Sequence, residues 1–346
     1  MQEMDEFLPY EEARKRYPPP DWWAPQVDRS VLKDILERNN YRALISHVLY
    51  FGLMVVVGYI AAATYEKTYW SILVFFVYGT LFGMVNSRVH ESLHGTPFKT
   101  QFLNEIVYFI GSCMELRGTL VTRWSHMIHH SYTSLRKSDT EIQALPPVKV
   151  WKIVLDFFYL YSTYFLLKTM ILHTLGIPTK VARRVVPKDQ LWKVFWSDRA
   201  TLVVHAAVII LAVVLHSWLP ILLFTLPRLY GGWLIWALIL AQHSGLAIDV
   251  LDHRLSTRTI RLNFFLSFLY MHMEYHTEHH LYPNIPFHAL ARFRKAIDSQ
   301  MPPVNNGLLG AYREIVPALW RQRHDMDYCI KRELPEGDTT RKAGQT

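Results

Sequence analysis

The chain of 346 residues is 51% hydrophobic and 14% aromatic, and its formal net charge is +8. Its mean hydropathy is only +0.07, so the apolar residues must be concentrated in blocks that charged segments separate. Basic loops against anionic lipid headgroups account for the positive charge, and no nucleic-acid-binding module is recognisable. The two cysteines, Cys113 and Cys329, lie far apart without CxxC spacing, so neither a disulfide framework nor a thiolate metal site is indicated.

The apolar blocks predict an all-α integral membrane protein with four transmembrane helices. Each block is about 20 residues long, which is enough to cross the hydrocarbon core at a rise of about 1.5 Å per residue. We expect the four helices to form two hairpins. The predicted spans are residues 44–64, 69–89, 200–217 and 219–242.

Lysine and arginine indicate how these spans are oriented. They are frequent before the first span, between the second and third spans, and after the fourth span. By contrast, the turn at residues 65–68 holds only Lys67, and the turn at Trp218 holds none. The positive-inside rule therefore places both termini and the long middle segment, residues 90–199, on the cytoplasmic side.

The chain divides into a cytoplasmic N-terminal arm, a membrane domain and a cytoplasmic C-terminal tail, at residues 1–43, 44–300 and 301–346. Trp22 and Trp23 are predicted to anchor the arm among lipid headgroups. Residues 102–116 and 151–175 are apolar but carry charges. They predict helices that lie on the membrane surface or dip into it, as part of a cytoplasmic helical cap that holds a metal site.

Three clusters of histidine indicate that metal site. Residues i, i+3 and i+4 of a helix share a face, so each cluster presents two or three imidazole nitrogens to one point. A tetrahedral zinc ion needs only four ligands, and eight imidazoles therefore indicate two metal ions. The clusters are an HxxxH box, His90 and His94, and two HxxHH boxes, His126, His129, His130 and His276, His279, His280.

His243 is a ninth predicted ligand, because the end of the fourth span would bring it to the same membrane depth as His90. His272 lies four residues before His276, on the same helical face, and is a reserve candidate. Carboxylates near the boxes are candidates for holding the second ring nitrogens of the ligands. They are Glu91, Asp139, Glu141 and Glu278.

Arg228 follows Pro227 within the fourth predicted span. An arginine inside a membrane is functional by default, which makes Arg228 a candidate anchor for a polar or acidic group of a substrate. The alternative is that its long side chain snorkels to the outer membrane surface.

The order of the boxes, with one hairpin before the first box and another before the last, resembles the membrane fatty-acid desaturase superfamily over about residues 40–300. Residues 90–100, 242–246, 252–259 and 275–290 are similar to a bacterial subgroup that includes the dihydrorhizobitoxine desaturase and the rhizopine-catabolism oxygenase. The resemblance implies a cytoplasmic di-iron centre bound by the box histidines, dioxygen as the oxidant, and a location in the bacterial inner membrane.

The resemblance also implies that a separate protein delivers the electrons. The sequence has no HPGG haem-binding signature and no Rossmann or flavin motif, so we expect a ferredoxin-, rubredoxin- or cytochrome-type donor, with its reductase, to act in trans. The expected enzyme is a membrane di-iron oxidoreductase that oxidises an unactivated aliphatic C–H bond in a lipid or a small amphipathic molecule. Desaturation is slightly favoured over hydroxylation.

Imidazole is a suitable ligand for iron, and two irons can share the electron changes of dioxygen cleavage. Two alternatives stay open: a membrane zinc hydrolase and a metal transporter. Metal content separates the three hypotheses, because they require about two irons per chain, one ordinary zinc site, and loosely held metal respectively.

Overall fold

The computed structural model describes residues 8–335, so residues 1–7 and 336–346, the outer ends of the predicted arm and tail, lie outside the description. Across residues 8–335 the chain is helical and forms no strand beyond two isolated bridges, which confirms the predicted all-α class. The helices are α1 Tyr10–Arg16, α2 Arg29–Ile35, α3 Asn40–Thr64, α4 Ser71–Gly83, α5 Val85–His94, α6 Gln101–Met114, α7 Thr119–Ser131, α8 Val150–Asp156, α9 Leu160–Thr174, α10 Lys180–Val185, α11 Leu191–Val214, α12 Pro227–Gly231, α13 Trp233–His243, α14 His253–Ser256, α15 Phe264–Leu269, α16 His276–Leu281, α17 Leu290–Ile297 and α18 Gly307–Arg321.

Among the described residues, three helices are long and apolar enough to cross a membrane. They are α3, the continuous helix Ser71–His94 made of α4 and α5, and the helix Lys188–Val214 that contains α11. Helix α3 packs along α4, as expected for the first hairpin. The outer faces carry exposed apolar side chains such as Val55 and Val203, which suit contact with lipid tails.

The predicted fourth span, residues 219–242, is not one continuous helix. A π-helical turn, Ile221–Thr225, precedes α12, and α13 follows after another break. Pro227 has no backbone N–H to donate and therefore begins a new helix at α12. Gly231 then lies directly against Gly79 of α4: a Cβ on Gly231 would come within 1.9 Å of the Gly79 carbonyl carbon. The break thus coincides with a backbone-to-backbone contact that only glycine permits.

The two predicted surface segments are helical. Helix α6 packs along α5. Helices α8 and α9 are bent by 81° relative to each other and together are apolar enough for a broken span or a re-entrant loop. Tyr159 lies at the bend with φ of 50°, and its ring is buried against Gly232 and Trp236.

The predicted arm and tail both pack on the membrane domain. Helix α18 contacts α13, and its side chains Ala311, Ile315 and Leu319 belong to the main apolar core. The expected anchoring of Trp22 and Trp23 among headgroups stays a prediction. The structure stacks Trp22 on His253 and places Trp23 under the guanidinium of Arg254, so a short non-helical segment brings both rings against α14.

Candidate metal centre

Four helices bring nine histidines together into two groups. Helix α5 carries the HxxxH box, α7 and α16 carry the HxxHH boxes, and α13 ends at His243. Within each group the ring nitrogens lie within 4.8 Å of one another. The first group is His90, His94, His126, His130 and His279, and the second group is His129, His243, His276 and His280. These are the nine histidines that the sequence singles out.

Each HxxHH box contributes to both groups. In α7 the i and i+4 histidines, His126 and His130, enter the first group, whereas His129 enters the second. In α16 the assignment is reversed, and the middle histidine of the box is the one that enters the first group. Since adjacent histidines on a helix point in different directions, one short helix can serve two neighbouring sites. The two groups must therefore lie side by side.

The first group has nitrogen separations that suit one ion. Nε2 of His90 lies 2.8 Å from Nε2 of His279, and Nε2 of His130 lies 3.0 Å from Nε2 of His126. Two nitrogens that bind a metal at about 2.1 Å and at a right angle are about 3.0 Å apart. Helix α5 ends at His94, the last residue of the box, and the following Gly95 adopts φ of 67°, so both histidines lie in the last turns of a long span.

The second group has the same spacing. Nε2 of His276 lies 2.9 Å from Nε2 of His243 and 3.1 Å from Nε2 of His280. The ring of His129 lies 5.0 Å from that of His243 and 4.9 Å from that of His280, both nearly perpendicular. An all-nitrogen donor set of this kind fits iron, and the two groups offer five and four ligands.

Burial keeps most of these imidazoles neutral. Burial first, and then the neighbouring histidines, lower the pKa of each of the following rings well below its usual value: His126, His130, His276, His279 and His280. A neutral imidazole has a free lone pair, which metal binding requires. Burial also acts to lower the pKa of His129, but the charge and hydrogen bond of Asp139, together with the charge of Glu141, outweigh it and raise that pKa.

Two carboxylates hold the second ring nitrogens of α7 histidines. Asp139 accepts from Nδ1 of His129 at 2.9 Å, and Glu141 lies 2.9 Å from Nδ1 of His126. Asp139 also accepts from the backbone N–H groups of Ser134 and Glu141, at 2.8 Å each, so its own orientation is fixed. Such pairs fix the tautomer and direction of a ligating ring.

The other two carboxylates behave differently. Glu91 accepts from Thr96 at 2.8 Å, and its second oxygen is 3.9 Å from Nδ1 of His279, too far for a hydrogen bond. Glu278 accepts from Thr259 at 2.6 Å and from Arg294 at 2.9 Å, and it shows no hydrogen bond to any of the nine histidines. The structure does not give it the predicted role of supporting a ligand, because both of its oxygens bond to other side chains.

Three neighbours of the second group are not indicated by the sequence. Nδ1 of His243 donates to the carbonyl of Ser256 at 3.0 Å, and Nδ1 of His280 lies 3.0 Å from the Thr133 hydroxyl. The buried ring of His253 lies 5.3 Å from the ring of His280. A backbone carbonyl and a single hydroxyl form no recognisable motif with the histidines that they contact. Only the tertiary structure therefore identifies them as partners. The reserve candidate His272 belongs to neither group and bonds to Ser267.

Arg228 is buried inside the protein and does not snorkel to the surface. Its Nη1 donates to the carbonyl of Glu115, and its guanidinium lies 4.1 Å from the centre of the Tyr159 ring. Its Nη2 is buried and has no hydrogen-bond partner. The Glu115 carboxylate accepts from Asn86 at 2.7 Å, and Asn86 lies one helical turn before His90.

A family model described as fatty acid desaturase matches residues 67–309, more than two thirds of the chain. The matched segment contains both histidine groups, Asp139, Glu141 and Arg228. No curated protein matches the chain.

Proposed function

Because the chain belongs to the fatty acid desaturase family, we propose that it is a membrane di-iron oxidoreductase that uses dioxygen to oxidise an unactivated aliphatic C–H bond. The observation that carries the proposal is the pair of adjacent groups of five and four imidazoles. Neither a single zinc site nor a transport pathway for metal accounts for nine converging nitrogens.

The first group would hold one iron and the second group the other. When bound, two irons supply the one-electron steps that cleave dioxygen and abstract hydrogen from carbon. For a desaturation the balance is one dioxygen, two hydrogens from the substrate, two electrons from a donor and two protons, which give an alkene and two waters. A hydroxylation transfers one oxygen atom to the substrate instead, and desaturation is the favoured outcome.

The chain's own residues orient and shield this site. Asp139 and Glu141 hold His129 and His126 by their second nitrogens, which directs the other nitrogens into the two groups. Six of the nine ligand candidates are more than nine-tenths buried, among them His276, His279 and His280. Burial excludes bulk water, which would otherwise quench a strongly oxidising site.

Substrate positioning is proposed for Arg228. Its free Nη2 can donate to a polar or acidic group, while its Nη1 is held by Glu115. Glu115 connects through Asn86 to the helix that carries His90. A polar group bound by Arg228 would therefore lie near the metal groups, with the aliphatic part of a lipid or of a small amphipathic molecule reaching toward them. The bacterial subgroup named above fits a substrate of the smaller kind.

The proposed location is the bacterial inner membrane, with both termini and the metal centre on the cytoplasmic side. Positive charge in residues 90–199 and after residue 243 supports that orientation. The proposed electron source is a ferredoxin-, rubredoxin- or cytochrome-type protein with its reductase.

The proposed function is tested with purified protein in detergent. Iron is counted by mass spectrometry of the metal, and the enzyme is incubated with dioxygen, NADPH, a ferredoxin reductase, a ferredoxin, and a panel of lipids and small amines. We expect about two irons per chain and a product that has lost two hydrogens or gained one oxygen. A preparation that holds only zinc, or tightly bound iron without any product from the panel, contradicts the proposal.

A further inference from the structure

A stack of aromatic rings leads from the protein surface to the second histidine group. The half-buried indole of Trp22 stacks on the ring of His253 with centroids 4.0 Å apart and planes 11° from parallel. The ring of His253 lies 5.3 Å from the ring of His280. Two ring-to-ring steps therefore separate the surface from a proposed iron ligand.

Hydrogen bonds hold Trp22 in this place. Its indole N–H donates to the carbonyl of Ser131 at 3.1 Å, and the backbone N–H of Trp23 donates to the carbonyl of Leu251 at 3.0 Å. Further along, Gln26 and Gln300 exchange two hydrogen bonds of 2.8 and 2.9 Å. The segment from Trp22 to Gln26 is thus tied to α7, to the loop before α14 and to Gln300.

The end of α1 that lies toward Trp22 is basic, whereas the first turn of that helix is acidic. The last turn of α1 carries Arg14, Lys15 and Arg16, and Lys15 is exposed. Arg14 donates to the hydroxyl of Tyr132 at 2.9 Å, and Tyr132 follows Ser131, the residue to which the Trp22 indole is bonded. A basic patch therefore adjoins the exposed edge of the ring stack, and such a patch attracts and orients an acidic partner.

We propose that this surface docks an acidic one-electron donor protein and that Trp22 and His253 form the path by which its electrons reach the metal centre. The inference rests on the proposed function, which requires two external electrons per turnover. In each docking event the donor is oxidised by one electron and the metal centre is reduced by one. No bond forms or breaks at Trp22 or His253. The rings of Trp22 and His253 shorten the distance that the electron must tunnel between the donor and the metal centre. The rate of electron tunnelling falls steeply as that distance increases.

The path is tested by comparing two reductants. The iron-loaded enzyme is mixed without oxygen with a reduced acidic [2Fe–2S] ferredoxin or with dithionite, and the reduction of the iron is followed spectroscopically. In the Trp22→Leu variant we expect reduction by ferredoxin to slow at least about tenfold, while iron content and reduction by dithionite are unchanged. Trp22→Phe retains a ring and should keep most of the rate.

Trp23→Leu is the matched control, because Trp23 belongs to the same segment but packs on Arg254 instead of a histidine. It should leave the ferredoxin rate unchanged. An unchanged rate in Trp22→Leu, or a loss of iron from that variant, overturns the path. If ferredoxin fails to reduce the wild-type iron that dithionite does reduce, the docking surface is overturned while the metal assignment stands. Wild-type protein that binds no iron overturns both.

Docking is tested separately on the iron-loaded protein without substrate or oxygen, so that no turnover takes place. Lys15→Glu should weaken ferredoxin binding at least about fivefold at low salt. Added salt should also weaken the binding of ferredoxin to the wild-type protein. Lys67→Glu is the control, since Lys67 is exposed in the turn at the other end of the first hairpin. Equal effects of the two substitutions, or no effect of either, contradict docking at the basic patch.

Discussion

Nε2 of His90 lies 2.8 Å from Nε2 of His279, although the two residues are 189 positions apart in the chain. The contact joins the end of a membrane-spanning helix to the last histidine box. The first group therefore depends on tertiary structure across most of the chain, and the loss of either ring removes a nitrogen from it.

His279→Ala should lower bound iron from about two per chain and abolish substrate oxidation, because a ligand nitrogen is missing from the first group. His126→Ala should do the same. Metal analysis and product formation are the measurements. His272→Ala is the control, since His272 lies outside both groups and should keep its iron. Full activity in His279→Ala would show that the assignment is wrong.

Asp139→Asn should weaken iron binding by about 10- to 100-fold, because the carboxylate that orients His129 is lost. Titration with a chelator, with the remaining iron measured, checks this. Asp249→Asn is the matched control: Asp249 is exposed and pairs with Arg136. If both variants lose iron at the same chelator concentration, Asp139 has no special role in holding the metal.

A topology reporter fused at the C-terminus should indicate a cytoplasmic location, because positive charge is concentrated in residues 90–199 and after residue 243. A reporter inserted in the turn at Lys67 should read as being on the opposite side. A C-terminal signal from outside the cytoplasm would contradict the proposed orientation of the metal centre.

Arg228→Leu should raise KM while kcat and iron content stay near those of the wild type, because a group that anchors substrate contributes to binding rather than to bond cleavage. Steady-state kinetics with the identified substrate measure this. Arg228→Lys keeps the positive charge, so its KM should lie between that of the wild type and that of Arg228→Leu. An unchanged KM in Arg228→Leu would contradict substrate anchoring and would mean that Arg228 serves only to bind the Glu115 carbonyl.

Gly231→Ala should destabilise the protein by about 1–3 kcal/mol or more, because its Cβ would overlap the backbone of Gly79. Gly52→Ala is the control: a Cβ there has no atom within 4 Å, and alanine favours a helix. Thermal unfolding in detergent should give a lower Tm for the first variant and an equal or higher Tm for the second. Equal losses in both would mean that the α4–α12 contact tolerates a side chain.

Helical periodicity was sufficient to predict the eight box histidines, because each box is a local pattern on one helix. His243 was predicted instead from its position at the end of the fourth apolar block, and hydropathy alone predicted the first hairpin, where it is uninterrupted. Hydropathy did not predict the break at Pro227, since its position depends on the contact of Gly231 with Gly79 across 152 residues of chain. The packing of Trp22 on His253 likewise depends on partners distant in sequence.

The division of each HxxHH box between the two groups has a consequence for how the centre fills. An ion in the first group would fix α7 through His126 and His130, and α7 also carries His129 of the second group. The ordering of that helix is then already complete when the next ion arrives, so the second binding event loses less conformational entropy. Metal loading should therefore be cooperative, with the half-filled chain a minor species compared with the empty and the full ones.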